Sequence, residues 1–266
     1  MEQRKTGPAP TADEAFSDRP QEDIIAGRNA VAEALRAGRA IDSVLLAKGD
    51  RAGSISALAA QCRRKGLLVK EVDSRKLDAL CGPNHQGIAA LAACKETVTL
   101  DELFAAAEAK GEPPFFVVCD ELEDPHNLGA ILRTAETAGV HGVVIPKRRS
   151  AGLTSAVYKA SAGAVEYVPV ARVSNITDAL REMKKRGVWV YGLDMDGETW
   201  CSVDMKGAAA VVVGSEGRGI SRLVKEQCDF IVSLPMRGHI TSLNASVACG
   251  IVLYEVARQR QGLAAK

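Results

Sequence analysis

Leu234-Pro-Met-Arg-Gly-His-Ile-Thr-Ser-Leu-Asn-Ala-Ser-Val-Ala248 is a strand-to-helix corner, and the rest of the chain is read outward from it. Phe230 to Leu234 is a short apolar strand that stops at Pro235, which has no N–H for a ladder. A turn at Gly238 follows, and Thr241, Ser242, Asn244 and Ser246 open a helix. Along it Leu243, Val247, Gly250, Ile251 and Tyr254 recur at helical spacing, which predicts one buried face. Ser242 and Asn244 therefore stand at a helix N-terminus, where free N–H groups and the positive dipole end point outward. Such a corner suits a small polar ligand; equally, Thr241 or Ser242 can be a plain N-cap.

Going back along the chain, strands are expected at Phe115–Cys119, Gly142–Ile145, Val165–Val170, Val188–Leu193 and Ala209–Val213. Helices are expected at Leu128–Ala138, Ile176–Arg186, Ile220–Glu226 and Ser242–Gln259. Continuous Val/Ile-rich runs between helices predict an open, mostly parallel α/β sheet buried on both faces. Ligands of such sheets bind beyond the carboxyl ends of the strands. No G-x-G-x-x-G follows the first strand and no Walker A sequence is present, which argues against a dinucleotide or nucleoside triphosphate site.

Residues 24–93 alternate on a smaller scale. Helices are expected at Asn29–Ala37, Ile55–Lys65 and Ser74–Leu80, with strands at Ser43–Ala47, Leu67–Val72 and Gly87–Ala93. The division predicted is a disordered tail over 1–22, a small α/β domain over 23–94, a linker with a connecting helix over 95–112 and a larger domain over 113–266. The net charge of +1 hides an asymmetry. Residues 24–76 carry 11 Lys/Arg against 5 Asp/Glu, residues 77–130 carry 2 against 10, and residues 131–266 carry 18 against 12. Two regions are thus basic enough to meet a phosphate backbone. Seven scattered Cys form no C-x-x-C pair, so neither zinc nor a disulfide framework is expected, and a reducing cytoplasm fits. No apolar run is long enough to span a bilayer.

Two further stretches change the reading of the corner: Asp124-Pro-His-Asn-Leu-Gly-Ala-Ile-Leu-Arg-Thr-Ala135 and Val211-Val-Val-Gly-Ser-Glu-Gly-Arg-Gly-Ile220. In order and spacing the three resemble the signature motifs of the SpoU/TrmH family of RNA ribose 2′-O-methyltransferases, over roughly residues 113 to 260. Ile25-Ala-Gly-Arg-Asn-Ala-Val-Ala-Glu-Ala-Leu35 looks like the opening of the substrate-binding domain that many members carry, and His85-Gln-Gly-Ile88 like its close. The resemblance implies a small N-terminal α/β RNA-binding domain, a C-terminal trefoil knot, S-adenosylmethionine as cofactor and no metal. It also implies a homodimer through the knotted domain, with residues of the partner approaching each site.

Carried over onto this sequence, the resemblance assigns catalysis to Asn127, Arg133, Glu216, Ser242 and Asn244. Arg133 would act mainly as a cation, with Asn127 and Glu216 holding Arg133 or the ribose, because a guanidinium is a poor base. Gly214, Leu234, Met236, Gly238 and Leu243 would form the cofactor pocket. Arg28, Arg36, Arg39, Lys147, Arg148, Arg149 and Lys159 are the expected RNA contacts, and His85 is either another or a structural turn histidine. The whole chain looks most like the RlmB-type branch, which methylates a guanosine of 23S rRNA. A tRNA-directed or adenosine-directed relative is the alternative, and a non-catalytic RNA-binding protein of the same fold is the competing class.

Overall fold

The computed structural model describes residues 24–49, 53–93 and 95–263, and the tail predicted at 1–22 lies outside them. The first unit runs β1 (Ile24–Ala26), α1 (Arg28–Arg36), β2 (Ile41–Ala47), α2 (Gly53–Arg64), β3 (Leu68–Val72), α3 (Ser74–Cys81) and β4 (Ile88–Ala92). Its four-stranded sheet has the order β1-β4-β2-β3. α1 turns Ala30, Val31, Ala34 and Leu35 inward, the i, i+1, i+4, i+5 stripe of an amphipathic helix. β1 escaped the sequence reading because three residues carry no period.

α4 (Leu100–Lys110) opens with a full capping box between Thr99 and Glu102. It is no free connector. Its buried Leu103 shares a core with Phe116, Val118 and Val144, and Phe104 meets the Phe116 ring edge-on at 5.1 Å.

The second unit continues with β5 (Phe115–Cys119), α5 (Pro125–Thr137), β6 (Gly142–Pro146), α6 (Ser155–Ala160), β7 (Val170–Val173) and α7 (Ile176–Lys185). It ends with β8 (Trp189–Thr199), β9 (Ala209–Val213), α8 (Arg222–Lys225), β10 (Phe230–Ser233) and α9 (Ala245–Arg260). The sheet order is β10-β8-β9-β5-β6-β7, and each of these pairings is parallel. β5 and β9 are buried along their whole length, as their unbroken apolar runs require. Among the described residues no helix is long and apolar enough to cross a membrane.

Three expectations need correction. The strand expected at Val165–Val170 is a 3₁₀ turn at Ala164–Glu166 followed by β7. Val165 and Val168 are buried as a strand pattern implies, but their carbonyls accept hydrogen bonds from Lys95 instead of joining a ladder. The helix expected at Ile220–Glu226 shrinks to the four residues of α8. The largest correction concerns α9. The face predicted to be buried is exposed, with Leu243 at 42%, Val247 at 51%, Ile251 at 38% and Tyr254 at 52%. The buried face is Cys249, Val252, Leu253 and Val256. A helix apolar on two sides offers two candidate faces, and periodicity alone does not choose between them.

The two units meet at a polar joint. Arg39 Nη1 lies 3.2 Å from Glu166 Oε2, with only 11% and 4% of the two side chains exposed. Arg39 also donates to the Ala93 carbonyl and lies over the Tyr158 ring, 5.5 Å from its centre. Lys95 donates to the carbonyls of Val165 and Val168, and burial pulls its ammonium down to about 8 against the attraction of Glu166. Tyr167 Oη donates to Glu33 Oε2 at 2.7 Å. Gly163 has φ +92°, and a Cβ there would fall 2.5 Å from the Glu33 Cβ, so the approach of α1 needs glycine.

Candidate active site

Three corners converge at the carboxyl ends of the strands. Asp124 caps α5 by accepting from His126 N at 2.9 Å, and Pro125 fills the first helical turn, where its missing N–H costs nothing. Asn127, in that same turn, is buried at 3% exposure. After β9 the chain folds back on itself, with Ser215 and Gly219 exchanging backbone bonds of 3.1 and 2.9 Å. A Cβ on Gly214 would sit 2.0 Å from the Gly219 carbonyl carbon, so the tightness of this loop dictates glycine there. The loop carries Glu216. At the third corner Asn244, not Thr241 or Ser242, is the N-cap of α9.

One residue fixes the orientation of all three. Asn244 Oδ1 accepts from Ser246 N at 2.9 Å and Val247 N at 3.3 Å, so its amide nitrogen must point away from the helix. That nitrogen donates to Glu216 Oε1 at 2.9 Å and to Asn127 Oδ1 at 2.9 Å. Asn127 therefore turns its own nitrogen to Glu216 Oε1, at 2.7 Å. The capping bond thus propagates into a closed Asn127–Glu216–Asn244 cluster. Among the described residues Glu216 Oε2 has no hydrogen-bond partner, so one carboxylate oxygen is held and the other is presented.

The remaining expected site residues divide. Arg133 is exposed on α5 and joins neither Asn127 nor Glu216. Six helical positions separate Arg133 from Asn127 by about 9 Å along the axis and about 120° around it, so of the two expected roles, holding Arg133 or holding the ribose, the Arg133 contact does not form within the chain. Ser242 is exposed and stands outside the cluster. Met236, Gly238 and Leu243 lie exposed on the loop before α9, with Leu234 half-buried at its start. Lys147, Arg148 and Arg149 are exposed after β6. Arg39 is drawn into the joint, and Lys159 donates to the Pro83 carbonyl at 3.2 Å. Arg28 donates to Ser54 Oγ at 3.0 Å, and Arg36 pairs with Glu33. His85 is the turn histidine: it is buried and its Nδ1 accepts from Gly87 N at 2.9 Å.

Behind the cluster, burial pushes the Cys119 thiol up to about 12 and the Cys249 thiol well above its ordinary value, so neither is a ready nucleophile. No group of His, Cys, Asp and Glu among the described residues is arranged to hold a metal ion.

Residues 114–254 match the model of the SpoU rRNA methylase family, and residues 24–98 match that of the RNA 2′-O ribose methyltransferase substrate-binding domain. A Bacillus subtilis protein whose name places it among TrmH family tRNA/rRNA methyltransferases is 48% identical over 241 residues, covering 90% of this chain and 97% of the relative. The chain belongs to the SpoU family. Among solved structures, an AdoMet-bound rRNA methyltransferase from Sinorhizobium meliloti superposes with a TM-score of 0.71 at 25% identity, covering 91% of this chain and 88% of that one. An RNA 2′-O ribose methyltransferase superposes with a TM-score of 0.75 at 25% identity, covering 90% and 89%.

Within this SpoU chain the residues that tie the corners together were missed from sequence. Asp120 is buried directly after β5, and its Oδ2 accepts from Ser221 N at 2.7 Å, locking the β9 loop to the β5 loop. Leu122 O accepts from Ala151 N at 2.9 Å and so ties in the loop after β6. An acidic pair following an all-apolar strand was the available signal for the first of these.

Proposed function

We propose that this protein methylates a ribose 2′-hydroxyl of RNA, using S-adenosylmethionine, with a guanosine of 23S rRNA as its target. The observation that carries the reading is the closed Asn127–Glu216–Asn244 cluster, built from all three motif stretches at the carboxyl ends of a parallel sheet. A tRNA target is the second reading, favoured by the tRNA/rRNA wording in the name of the Bacillus subtilis relative.

The loop before α9 fits such a cofactor. Among the described residues the backbone of 235–243 makes no hydrogen bond, so its N–H and C=O groups are available to a purine edge and a ribose. Met236 and Leu243 stand exposed beside them as apolar cover, at 38% and 42%. Gly214, Leu234, Met236, Gly238 and Leu243 would hold the cofactor, which supplies an electrophilic methyl group on a sulfonium. Glu216, with Oε1 pinned by two amides, offers Oε2 to the 2′-hydroxyl as a hydrogen-bond acceptor and so aims its oxygen. Asn127 and Asn244 keep that carboxylate from swinging. Arg133, as a cation, would stabilise the negative charge that builds on the oxygen as its proton passes to Glu216 Oε2. Ser242 lines the entrance.

Two structural assignments complete the proposal. The exposed Val247, Ile251 and Tyr254 form one stripe of α9 that continues into Leu243 of the cofactor loop, and we assign it to a second copy of this chain. Arg133, whose side chain has no partner among the described residues, is then the group that crosses to the partner's cluster. The path that leaves β9, returns from β10 and closes on Glu216 through Asn244 is the one we read as the trefoil knot.

The test is methyl transfer from labelled S-adenosylmethionine to 23S rRNA, 16S rRNA and tRNA transcripts, with the product mapped for 2′-O-methylation. Label in 23S rRNA alone, lost in Arg133→Ala and Glu216→Gln, is expected. Label in tRNA moves the substrate, and no cofactor binding removes the reading altogether. Mixing the two inactive variants checks the dimer: recovered activity places Arg133 in trans, and none places it in cis.

A further inference from the structure

Outside the cluster, one charged group is built across three loops. Glu121 follows β5, Arg149 follows β6 and Arg218 lies in the loop after β9, and these three strands are neighbours in the sheet. Arg149 Nη1 is 3.0 Å from Glu121 Oε1, and Arg218 Nη2 is 3.9 Å from Glu121 Oε2. The Glu121 side chain is 26% exposed, whereas each arginine side chain is 75% exposed. One half-buried anion thus holds two cations outward on a line across the strand ends. Exposed ion pairs are ordinarily worth little. Here the backbone itself is committed to the arrangement. Glu121 has φ +51° and Arg149 φ +56°, left-handed conformations that non-glycine residues adopt at a cost and that cluster at working sites. The loops are also stitched to each other beneath the charges, through Ala151 N to Leu122 O and Ser221 N to Asp120 Oδ2. Arg218 is two residues from Glu216, so the line begins at the edge of the cluster.

We propose that Glu121 is a positioning residue that sets Arg149 and Arg218 as a two-guanidinium clamp for the RNA backbone beside the target ribose. A guanidinium fork matches phosphate oxygens in a way a lysine ammonium does not. Glu121 orders both forks before RNA arrives, which lowers the entropy lost on binding. The assignment rests on the reading of the Glu216 cluster as the reacting centre, and its test is independent of methyl transfer.

Binding of a fluorescein-labelled single-stranded RNA of mixed sequence, and of the 23S rRNA transcript, is titrated against salt for wild type and variants. Arg149→Ala and Arg218→Ala are each expected to weaken binding of the transcript about tenfold, the size of one charge-assisted contact. Together they should flatten the slope of log affinity against log salt by about 1.5, two phosphate contacts' worth. Affinity for S-adenosylmethionine should not move. Arg149→Lys and Arg218→Lys should fail to restore transcript affinity. Glu121→Ala is the deciding variant. It makes the protein more positive, so simple charge counting predicts tighter RNA binding, whereas a positioning role predicts weaker transcript binding with partial rescue by Glu121→Gln. Tighter binding in Glu121→Ala, or an unchanged salt slope in the arginine double variant, overturns the clamp. If wild type methylates no RNA the proposed reaction fails, yet the binding titration still decides the clamp.

Discussion

The joint between the two units and the rim of the large sheet are both clusters of basic residues around a glutamate, and they are opposites. At the joint Arg39 and Glu166 are turned inward, 11% and 4% exposed, and Arg39 Nε, Nη1 and Nη2 each donate to an acceptor of the protein. At the rim Arg149 and Arg218 stand 75% exposed around a single glutamate. In the sequence both contribute equally to the basic balance. The difference teaches that positive charge can serve as the proposed RNA footprint only where it stays exposed to solvent, even when an acceptor of the protein holds it. Charges buried against partners hold the two units in one orientation instead, and that orientation sets where a bound RNA could run relative to the cluster.

The comparison breaks most directly through stability. Arg39→Ala leaves the Glu166 carboxylate buried without its cation, and removing one partner of such a pair costs about 3 kcal/mol. Arg149→Ala removes an exposed cation and is expected to change stability by less than about 0.5 kcal/mol. Urea unfolding of the two variants reads both numbers. Equal losses would mean that the joint is no more structural than the rim. Arg39→Ala combined with Glu166→Leu should recover much of the loss, because the orphaned charge is gone.

A second, smaller contrast lies within one side chain. Asn244 caps α9 with its oxygen and holds Glu216 with its nitrogen. Asn244→Ala should lose both, costing about 1 kcal/mol of stability and about a hundredfold in methyl transfer. Asn244→Ser keeps a capping oxygen but no amide donor. It should therefore melt with wild type and still lose activity, checked by thermal unfolding beside a labelled-methyl assay. If Ser restores activity, the cluster works through the cap alone.

Much of this was readable in advance, for identifiable reasons. Phe115–Cys119 and Ala209–Val213 were placed to the residue because a strand covered on both faces has no polar positions to blur its ends. Asn127, Glu216 and Asn244 were singled out because the three stretches that carry them resemble the SpoU/TrmH motifs, and the structure brings the three side chains into contact. Their partners were not legible. The resemblance suggested Arg133 or the ribose for Glu216, whereas the capping geometry of Asn244 delivers two amides to it. The exposed stripe of α9 was misread as core because Leu243, Val247, Ile251 and Tyr254 have the same spacing whether they face a protein interior or a partner. Arg39 was counted with the RNA contacts because nothing local reveals Glu166, distant in sequence and adjacent in space.

The joint has a further, weaker signature that the rim lacks. Burial pulls the Lys95 ammonium down to about 8, against the opposing pull of Glu166. In the unfolded chain the same group titrates near ~10.4. Below about 8 both states hold the proton, and the cost of burying the charge is constant. Between the two values the unfolded chain still binds a proton that the folded chain has released, so this group's contribution to stability rises with pH. The stability of wild type minus that of Lys95→Met should therefore increase by about 1–2 kcal/mol between pH 8 and about pH 10. Taking the difference cancels the alkaline titration of the other groups. A flat Lys95 difference would mean that water reaches the ammonium between the two units, and the joint would then be looser than its hydrogen bonds to Val165 and Val168 imply.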